Sequence, residues 1–177
     1  MKFFIGIVPP EEISSNIISF QKSFPNNDVV NVIEPHITIK RPEVVVDVDG
    51  WVGKIRSITE GIRTFQLSFE KVETFDNEVV FLKPNNSEEL FSLHKQIFKI
   101  SEASEEGSMY ENDNYDPHLT LAGTKWKISK EELFDLKEKA QIVFENEMNF
   151  EVSFLRIYKK EDGVKNWEKF LDIKFGG

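Results

Sequence analysis

Cysteine is absent from this chain of 177 residues. Disulfides, thiolate metal sites and thiol catalysis are thereby excluded, and the composition fits a reducing compartment. Histidine is scarce, with three residues in all. Long apolar runs are missing too, since none approaches the roughly 20 residues that a membrane helix needs. The opening Met1-Lys2-Phe3-Phe4-Ile5-Gly6-Ile7-Val8 is apolar but short, and Pro9-Pro10-Glu11-Glu12 follows at once, so it does not read as a signal peptide. A cytoplasmic location without membrane association is the expectation. Basic residues are outnumbered, 22 against 31 acidic ones, for a net charge of −9. Tight, sequence-blind binding to long nucleic acid is therefore not expected, because it relies on many Lys and Arg contacts to phosphates. A small phosphorylated ligand held by a few local groups remains open.

What is present describes a globular protein. Hydrophobic residues make up 40% and charged residues 30%, and 16 phenylalanines supply core volume. The length suits one domain or two small, intimate lobes. Residues 2–8 read as a strand that stops at Pro9-Pro10. A helix follows, with Pro10 at its start, Glu11 and Glu12 in its first turn, and Ile13, Ile17, Phe20 and Phe24 at helical spacing. A strand is expected near 35–41 and a second helix from about 51 to 62. The alternation Phe65-Gln66-Leu67-Ser68-Phe69-Glu70 gives a strand, paired through Asp76-Asn77 with another at 78–83. Asn86-Ser87-Glu88-Glu89 opens a third helix in capping-box style, with Leu90, Leu93, Ile97 and Ile100 on its apolar face. Residues 101–116 form a polar, acidic loop. Ser129-Lys130-Glu131-Glu132 caps a fourth helix to about 145. Strands near 148–159 and 168–175 finish the chain.

Two stretches are nearly the same. Residues 35–40 read Pro35-His36-Ile37-Thr38-Ile39-Lys40, and residues 117–122 read Pro117-His118-Leu119-Thr120-Leu121-Ala122. A second pair of motifs, Phe65-Gln66-Leu67-Ser68-Phe69 and Phe150-Glu151-Val152-Ser153-Phe154, repeats at almost the same offset, 85 residues against 82 for the histidines. Two independent motifs at nearly one offset indicate an internal repeat. The fold class is therefore α+β: a bilobed pseudo-two-fold repeat of two mainly antiparallel sheets, flanked by helices, with a central groove. The halves run roughly 1–78 and 79–177. No linker-like stretch separates them, so 1–177 is expected to pack as one unit.

Strand alternation puts His36 and Thr38 on one face over a core-facing Ile37 and Ile39, and His118 and Thr120 on one face over Leu119 and Leu121. Two imidazoles across a groove can divide the roles of general base and general acid near neutral pH. Threonine hydroxyls can donate hydrogen bonds to phosphoryl oxygens. Together they suit in-line displacement at phosphorus, with no cofactor and no metal in the scheme. Lys40 shares the parity of His36 and Thr38 and is expected to face the groove as a substrate-binding cation that stabilises negative charge, where its counterpart is Ala122. Glu34 and Asp116 stand two residues before the histidines. They read as loop acids, with imidazole orientation or metal ligation as alternatives. His94 reads as a structural histidine of the third helix, Tyr110 and Tyr115 as packing or base-stacking residues, and Trp126 as an anchor for the chain.

Paired His-x-Thr-x strands in a bilobed α+β repeat resemble the two-histidine phosphoesterase superfamily, which includes bacterial 2′-5′ RNA ligase-like proteins and 2′,3′-cyclic phosphodiesterases. The opening strand and helix start resemble that family as well. The resemblance implies metal-independent chemistry at 2′,3′-cyclic phosphates or 2′-5′ phosphodiester bonds of nucleotides or RNA ends. His36 and His118 are the implied catalytic residues, and Thr38 and Thr120 are the implied phosphate binders. Lys40-Arg41 follows the first motif but Ala122-Gly123-Thr124-Lys125 follows the second, which favours phosphodiesterase chemistry over ligation. A monomer acting on a small nucleotide or an RNA-end phosphate is expected. The alternative is a non-catalytic module that binds such ligands in the same groove.

Overall fold

A computed structural model describes residues 1–100 and 114–177. Thus most of the acidic loop, including Tyr110, lies outside the described residues. The strands are β1 (Lys2–Ile7), β2 (Ile37–Val44), β3 (Phe65–Phe75), β4 (Val79–Pro84), β5 (Leu119–Gly123), β6 (Met148–Val152), β7 (Phe154–Lys160) and β8 (Glu168–Lys174). The α-helices among the described residues are α1 (Glu11–Lys22), α2 (Val48–Thr59), α3 (Glu88–Phe98) and α4 (Lys130–Val143). Short 3₁₀ turns occupy Asp28–Asn31 and Thr124–Trp126. No helix among the described residues is long and apolar enough to cross a membrane.

Local chemistry explains most element boundaries. Pro10 precedes α1, and Glu11 and Glu12 lie where the helix dipole favours negative charge. The Ser129 hydroxyl accepts from Glu132 N–H while the Glu132 carboxylate accepts from Ser129 N–H, a complete capping box for α4. At α3 the Ser87 hydroxyl accepts from Leu90 N–H, but the reciprocal half of the box is replaced by a contact to Glu89. α2 starts three residues earlier than its periodicity suggests, because the Asp47 carboxylate accepts from Gly50 N–H and caps the helix there. The β3–β4 hairpin turns on Asp76 and Asn77 at φ 47° and 54°, the left-handed pair that tight hairpins require.

The strands form one antiparallel order, β6-β3-β4-β5-β2-β1-β7-β8. It consists of two four-stranded halves, joined in the middle by a single pair, Ile37 with Leu119. The two sheets expected from the repeat are therefore one eight-stranded sheet, continuous across that pair. Its halves do not sort by sequence, since β3 lies beside β4 and β7 beside β1. Each half therefore draws strands from both copies of the repeat. The expected strand at 148–159 is interrupted at Ser153, where the chain leaves β6, at one outer edge, and enters β7 in the other half. The two halves thus meet a second time at that residue.

The four helices of the described residues pack on one face. Phe3, Ile5 and Ile7 of β1 meet Ile17 and Phe20 of α1, Trp51 and Ile55 of α2, Leu90, Leu93 and Ile97 of α3, and Leu133, Leu136 and Ala140 of α4 in one continuous core. Each large side chain among them contributes on the order of 1.5–3 kcal/mol by burial. Alternate residues of the central strands face the other way. There Phe4, Phe81 and Tyr158 are buried outside that core and floor a groove along the seam between β2 and β5.

Candidate active site

The seam explains why the two histidine motifs meet. Ile37 and Leu119, the middle residues of the two motifs, are paired across it and fully buried. Their neighbours point the other way, so His36, Thr38, His118 and Thr120 all line one pocket of about 360 Å³. Ile39 and Leu121 are buried in the core. Strand parity thus places every residue of both motifs on its expected face, as far as the threonines.

Each imidazole rests on an aromatic pair. His36 lies against Phe4 and Tyr158, with ring centroids at 5.1 and 5.7 Å. His118 lies against Phe75 and Phe81, at 4.9 and 5.3 Å. Gly6 is paired with Thr38, and a Cβ there would stand 3.1 Å from Ile37 O and 3.4 Å from His36 Cδ2. The missing side chain leaves room for the ring beside β1.

The tautomers are fixed by the backbone. His36 Nδ1 is 2.9 Å from Glu34 O, and His118 Nδ1 is 2.8 Å from Asp116 O. A carbonyl oxygen only accepts, so both Nδ1 atoms carry hydrogen when the rings are neutral. Nε2 is then the nitrogen available to a ligand in the groove. This is the part that Glu34 and Asp116 play, through main chain rather than carboxylate. The Glu34 carboxylate instead accepts from Arg156 and Tyr158, each at 2.8 Å, and Arg156 is also held by both oxygens of Asp172. The Asp116 carboxylate pairs with Lys83.

Burial is the main reason that both imidazoles are held down at about 4. Their surroundings differ in sign. Beyond the repulsion from His118 and Lys125, His36 feels the carbonyl and carboxylate of Glu34, which favour its protonated form. His118 feels three cations, Lys83, Lys125 and Arg41, all of which disfavour protonation.

Lys40 is the expectation that the structure corrects. It is 2% exposed and does not line the pocket. Thr38 pairs with Gly6 but Lys40 pairs with Ile5, so Ile39 is the extra residue of a β-bulge and parity inverts after it. Lys40 therefore points to the helix side. Its Nζ lies 3.9 Å from the Glu43 carboxylate, which also accepts from Trp51 Nε1, and it faces the ring of Phe98. The second copy carries the same bulge. Thr120 pairs with Phe81 and Ala122 with Val80, which makes Leu121 the extra residue.

The cations of the groove come from elsewhere. Lys125, in the turn after β5, and Lys160, at the end of β7, both line the pocket. Desolvation holds the Lys125 ammonium below the usual lysine value, and its Nζ sits 4.0 Å from the Trp126 ring centroid. Lys160 sits 4.8 Å from the ring of Trp167. In the sequence Lys125 reads only as part of the segment after the second motif, and no periodicity marks it as a groove residue. Phe4, Val32, Ile33, Pro35, Trp126 and Trp167 give the rest of the pocket an apolar wall.

His94 is a structural histidine, 1% exposed, with Nδ1 2.7 Å from Ile39 O and its ring stacked on Tyr115 at 3.7 Å. Tyr115 is thus a packing residue against α3.

Comparisons with known proteins agree with this architecture. A protein of Bacillus licheniformis that bears the name "putative phosphoesterase" is 29% identical over 142 residues, 77% of each chain. The crystal structure of TT0787 from Thermus thermophilus superposes over 100% of this chain and 99% of its own, with a TM-score of 0.72 and 14% identity. LigT of E. coli, solved in complex with NADP⁺, covers 99% of this chain and 98% of its own, with a TM-score of 0.63 and 14% identity. LigT complexed with 3′-AMP matches at a TM-score of 0.60 and 16% identity over the same shares. The sequence pattern of the 2′-5′ RNA ligase superfamily extends over residues 9–163, both histidine motifs included. With that span matched and the fold shared end to end, the chain belongs to the 2′-5′ RNA ligase superfamily and is a two-histidine phosphoesterase.

Proposed function

We propose that this protein is a metal-independent phosphodiesterase acting on 2′,3′-cyclic phosphates or 2′-5′ phosphodiester bonds of nucleotides or RNA ends. The observation that carries the proposal is the pair of half-buried imidazoles in one pocket, each with Nδ1 committed to a carbonyl and Nε2 left for the ligand. Thr38 and Thr120 bind the phosphoryl oxygens. Lys125 takes the charge-neutralising place that the sequence assigns to Lys40. The apolar wall of the pocket accepts one nucleoside, in keeping with the nucleotides that LigT is seen to bind.

In hydrolysis of a cyclic phosphate, His118 Nε2 takes a proton from water as the water oxygen bonds to phosphorus. The bond from phosphorus to one ribose oxygen breaks, and His36 Nε2–H gives its proton to that oxygen. One water is consumed, and the product is a ribonucleotide monoester. Burial disfavours charge on both rings; the acid and base are divided in this way because Glu34 favours a charged His36, whereas Lys83, Lys125 and Arg41 add to the burial that disfavours charge on His118. Both sequence halves supply the site, so residues 1–177 act as one unit and one copy of the chain suffices.

The test is a panel of 2′,3′-cyclic nucleotides, RNA with cyclic-phosphate ends and 2′-5′ dinucleotides, assayed with the wild type, His36→Ala and His118→Ala. Loss of turnover by several orders of magnitude in both variants is expected, with phosphate affinity changed far less. A p-nitrophenyl phosphodiester, whose leaving oxygen needs no proton, should restore His36→Ala but not His118→Ala. A wild type inert on the whole panel refutes the substrate class, and rescue of the opposite variant refutes the assignment of acid and base.

A further inference from the structure

The bulges at Ile39 and Leu121 interrupt the ladders where side chains donate to the strand carbonyls. A bulge leaves backbone groups of the longer strand unpaired, and a buried carbonyl without a donor is disfavoured. In the first motif, Thr38 O accepts from the Tyr115 hydroxyl at 2.9 Å and Ile39 O from His94 Nδ1 at 2.7 Å. In the second motif, Thr120 O accepts from Gln21 Nε2 at 3.1 Å and Leu121 O from Asn27 Nδ2 at 2.9 Å. The same two carbonyls are therefore held in each copy, both times by a pair of side chains.

The origin of those side chains is reciprocal. His94 is on α3 and Tyr115 lies just before β5, so the first motif is held from the second repeat. Gln21 is on α1 and Asn27 in the turn after it, so the second motif is held from the first repeat. The helix packing agrees, since α3 lies against β2 and α1 against β5. Chemically the two pairs are unlike, a stacked His–Tyr in one and two carboxamides in the other, although they meet the same two carbonyls.

We infer that Gln21, Asn27, His94 and Tyr115 are positioning residues, a crossed brace that fixes Thr38 and Thr120 and, through the same backbone, the two imidazoles. The inference rests on the proposed function for its catalytic consequence. Three observations support a role beyond packing. The carbonyls of Thr38 and Thr120 belong to the residues proposed to hold the phosphate, so a shift of either peptide moves a phosphate ligand directly. Gln21 and Asn27 are 1% and 2% exposed, yet Gln21 Oε1 and Asn27 Oδ1 have no hydrogen-bond partner among the described residues. Holding two amides in the interior with one oxygen each unsatisfied is unfavourable for stability alone. Finally, Gln21 itself reaches the pocket wall, so the brace ends at the groove. Displacement of a reacting group by about 1 Å is enough to lower a rate roughly a hundredfold.

Tyr115→Phe removes one hydroxyl and Gln21→Met removes one donor at nearly constant volume. Each is expected to lower kcat on a 2′,3′-cyclic nucleotide roughly ten- to a hundredfold while melting within a few degrees of wild type. Histidine C2–H titrations by NMR supply a readout that needs no substrate. Tyr115→Phe is expected to move the His36 titration and leave His118 in place, and Gln21→Met to do the reverse. Variants that keep wild-type kcat and both titrations, whatever their melting temperature, overturn the inference. Should Gln21→Met not fold, Tyr115→Phe, a change on a half-buried ring, decides the question for its own strand. If wild type turns over no cyclic nucleotide, inorganic phosphate replaces it, and the titrations with and without phosphate still read the brace. In that case the substrate class fails while the brace stands or falls on its own.

Discussion

Binding of a phosphodiester to this groove should take up a proton. With both imidazoles at about 4 in the empty protein, each is protonated in only about one molecule in a thousand at pH 7. General acid catalysis needs one of them charged. For His36 to be half-protonated at pH 7 in the complex, the ligand must raise it by about three units, or roughly 4 kcal/mol at about 1.36 kcal/mol per unit. That corresponds to a ligand preference of about a thousandfold for the singly protonated groove. The sign follows from linkage. Between the free value near 4 and a bound value near 7 the complex holds one more proton than its parts, so affinity weakens about tenfold for each pH unit gained. Below 4 and above 7 the slope vanishes. Isothermal calorimetry with a 3′,5′-cyclic nucleotide, a phosphodiester that itself does not titrate in this range, measures the uptake directly when run at pH 6 in two buffers of different ionisation enthalpy. Close to one proton per ligand is expected, and His36→Asn should abolish it. Uptake near zero with an affinity flat from pH 5 to 7 would refute the reasoning, because the groove would then bind phosphate without charging either imidazole.

The same two groups set the acid stability of the empty protein. Their folded values lie below the unfolded value of about 6.5, so the unfolded chain binds more protons and stability falls as pH drops from about 6.5 towards 4. About 2 kcal/mol per half-buried histidine is expected, and calorimetric melting of the wild type against His118→Gln, which should lose part of that slope, checks it. Lys125→Ala should weaken phosphate binding about tenfold, as loss of a charge-assisted contact does, read by titration at low and high salt. Lys40→Met should leave kcat near wild type but destabilise the fold by about 3 kcal/mol, because it removes a cation beside the buried Glu43 carboxylate; denaturant unfolding measures this. Gly6→Ala should lower kcat with little change in melting temperature, since its Cβ would push the His36 ring and the Ile37 carbonyl, and steady-state kinetics shows whether it does.

Much of the site was legible because a strand has a period of two. Pro-His-x-Thr-x repeated at one offset fixes which residues are polar and which aliphatic, and the pair Ile37–Leu119 at the seam turns that pattern into a groove. The antiparallel hairpin at Asp76-Asn77 and the capping box at Ser129 were equally readable, because each is settled by residues within one turn of one another. Lys40 shows where such reading ends. Its parity held only until Ile39, and the bulge there depends on the register of β2 against β1, which lie far apart in sequence. Lys125 enters the groove because the turn after β5 brings it back across the seam, and no periodicity encodes that.

By itself, then, the sequence determined the chemistry of the two strands and the faces they present, since both follow from residue type and a local period. Tertiary structure decided which cations line the groove, which repeat holds which strand, and how burial lowers both imidazoles. Those outcomes depend on burial, register and contacts between distant segments. The two histidine strands are defined locally, but the bulges after their threonines are held by Gln21, Asn27, His94 and Tyr115, each from the other half of the chain.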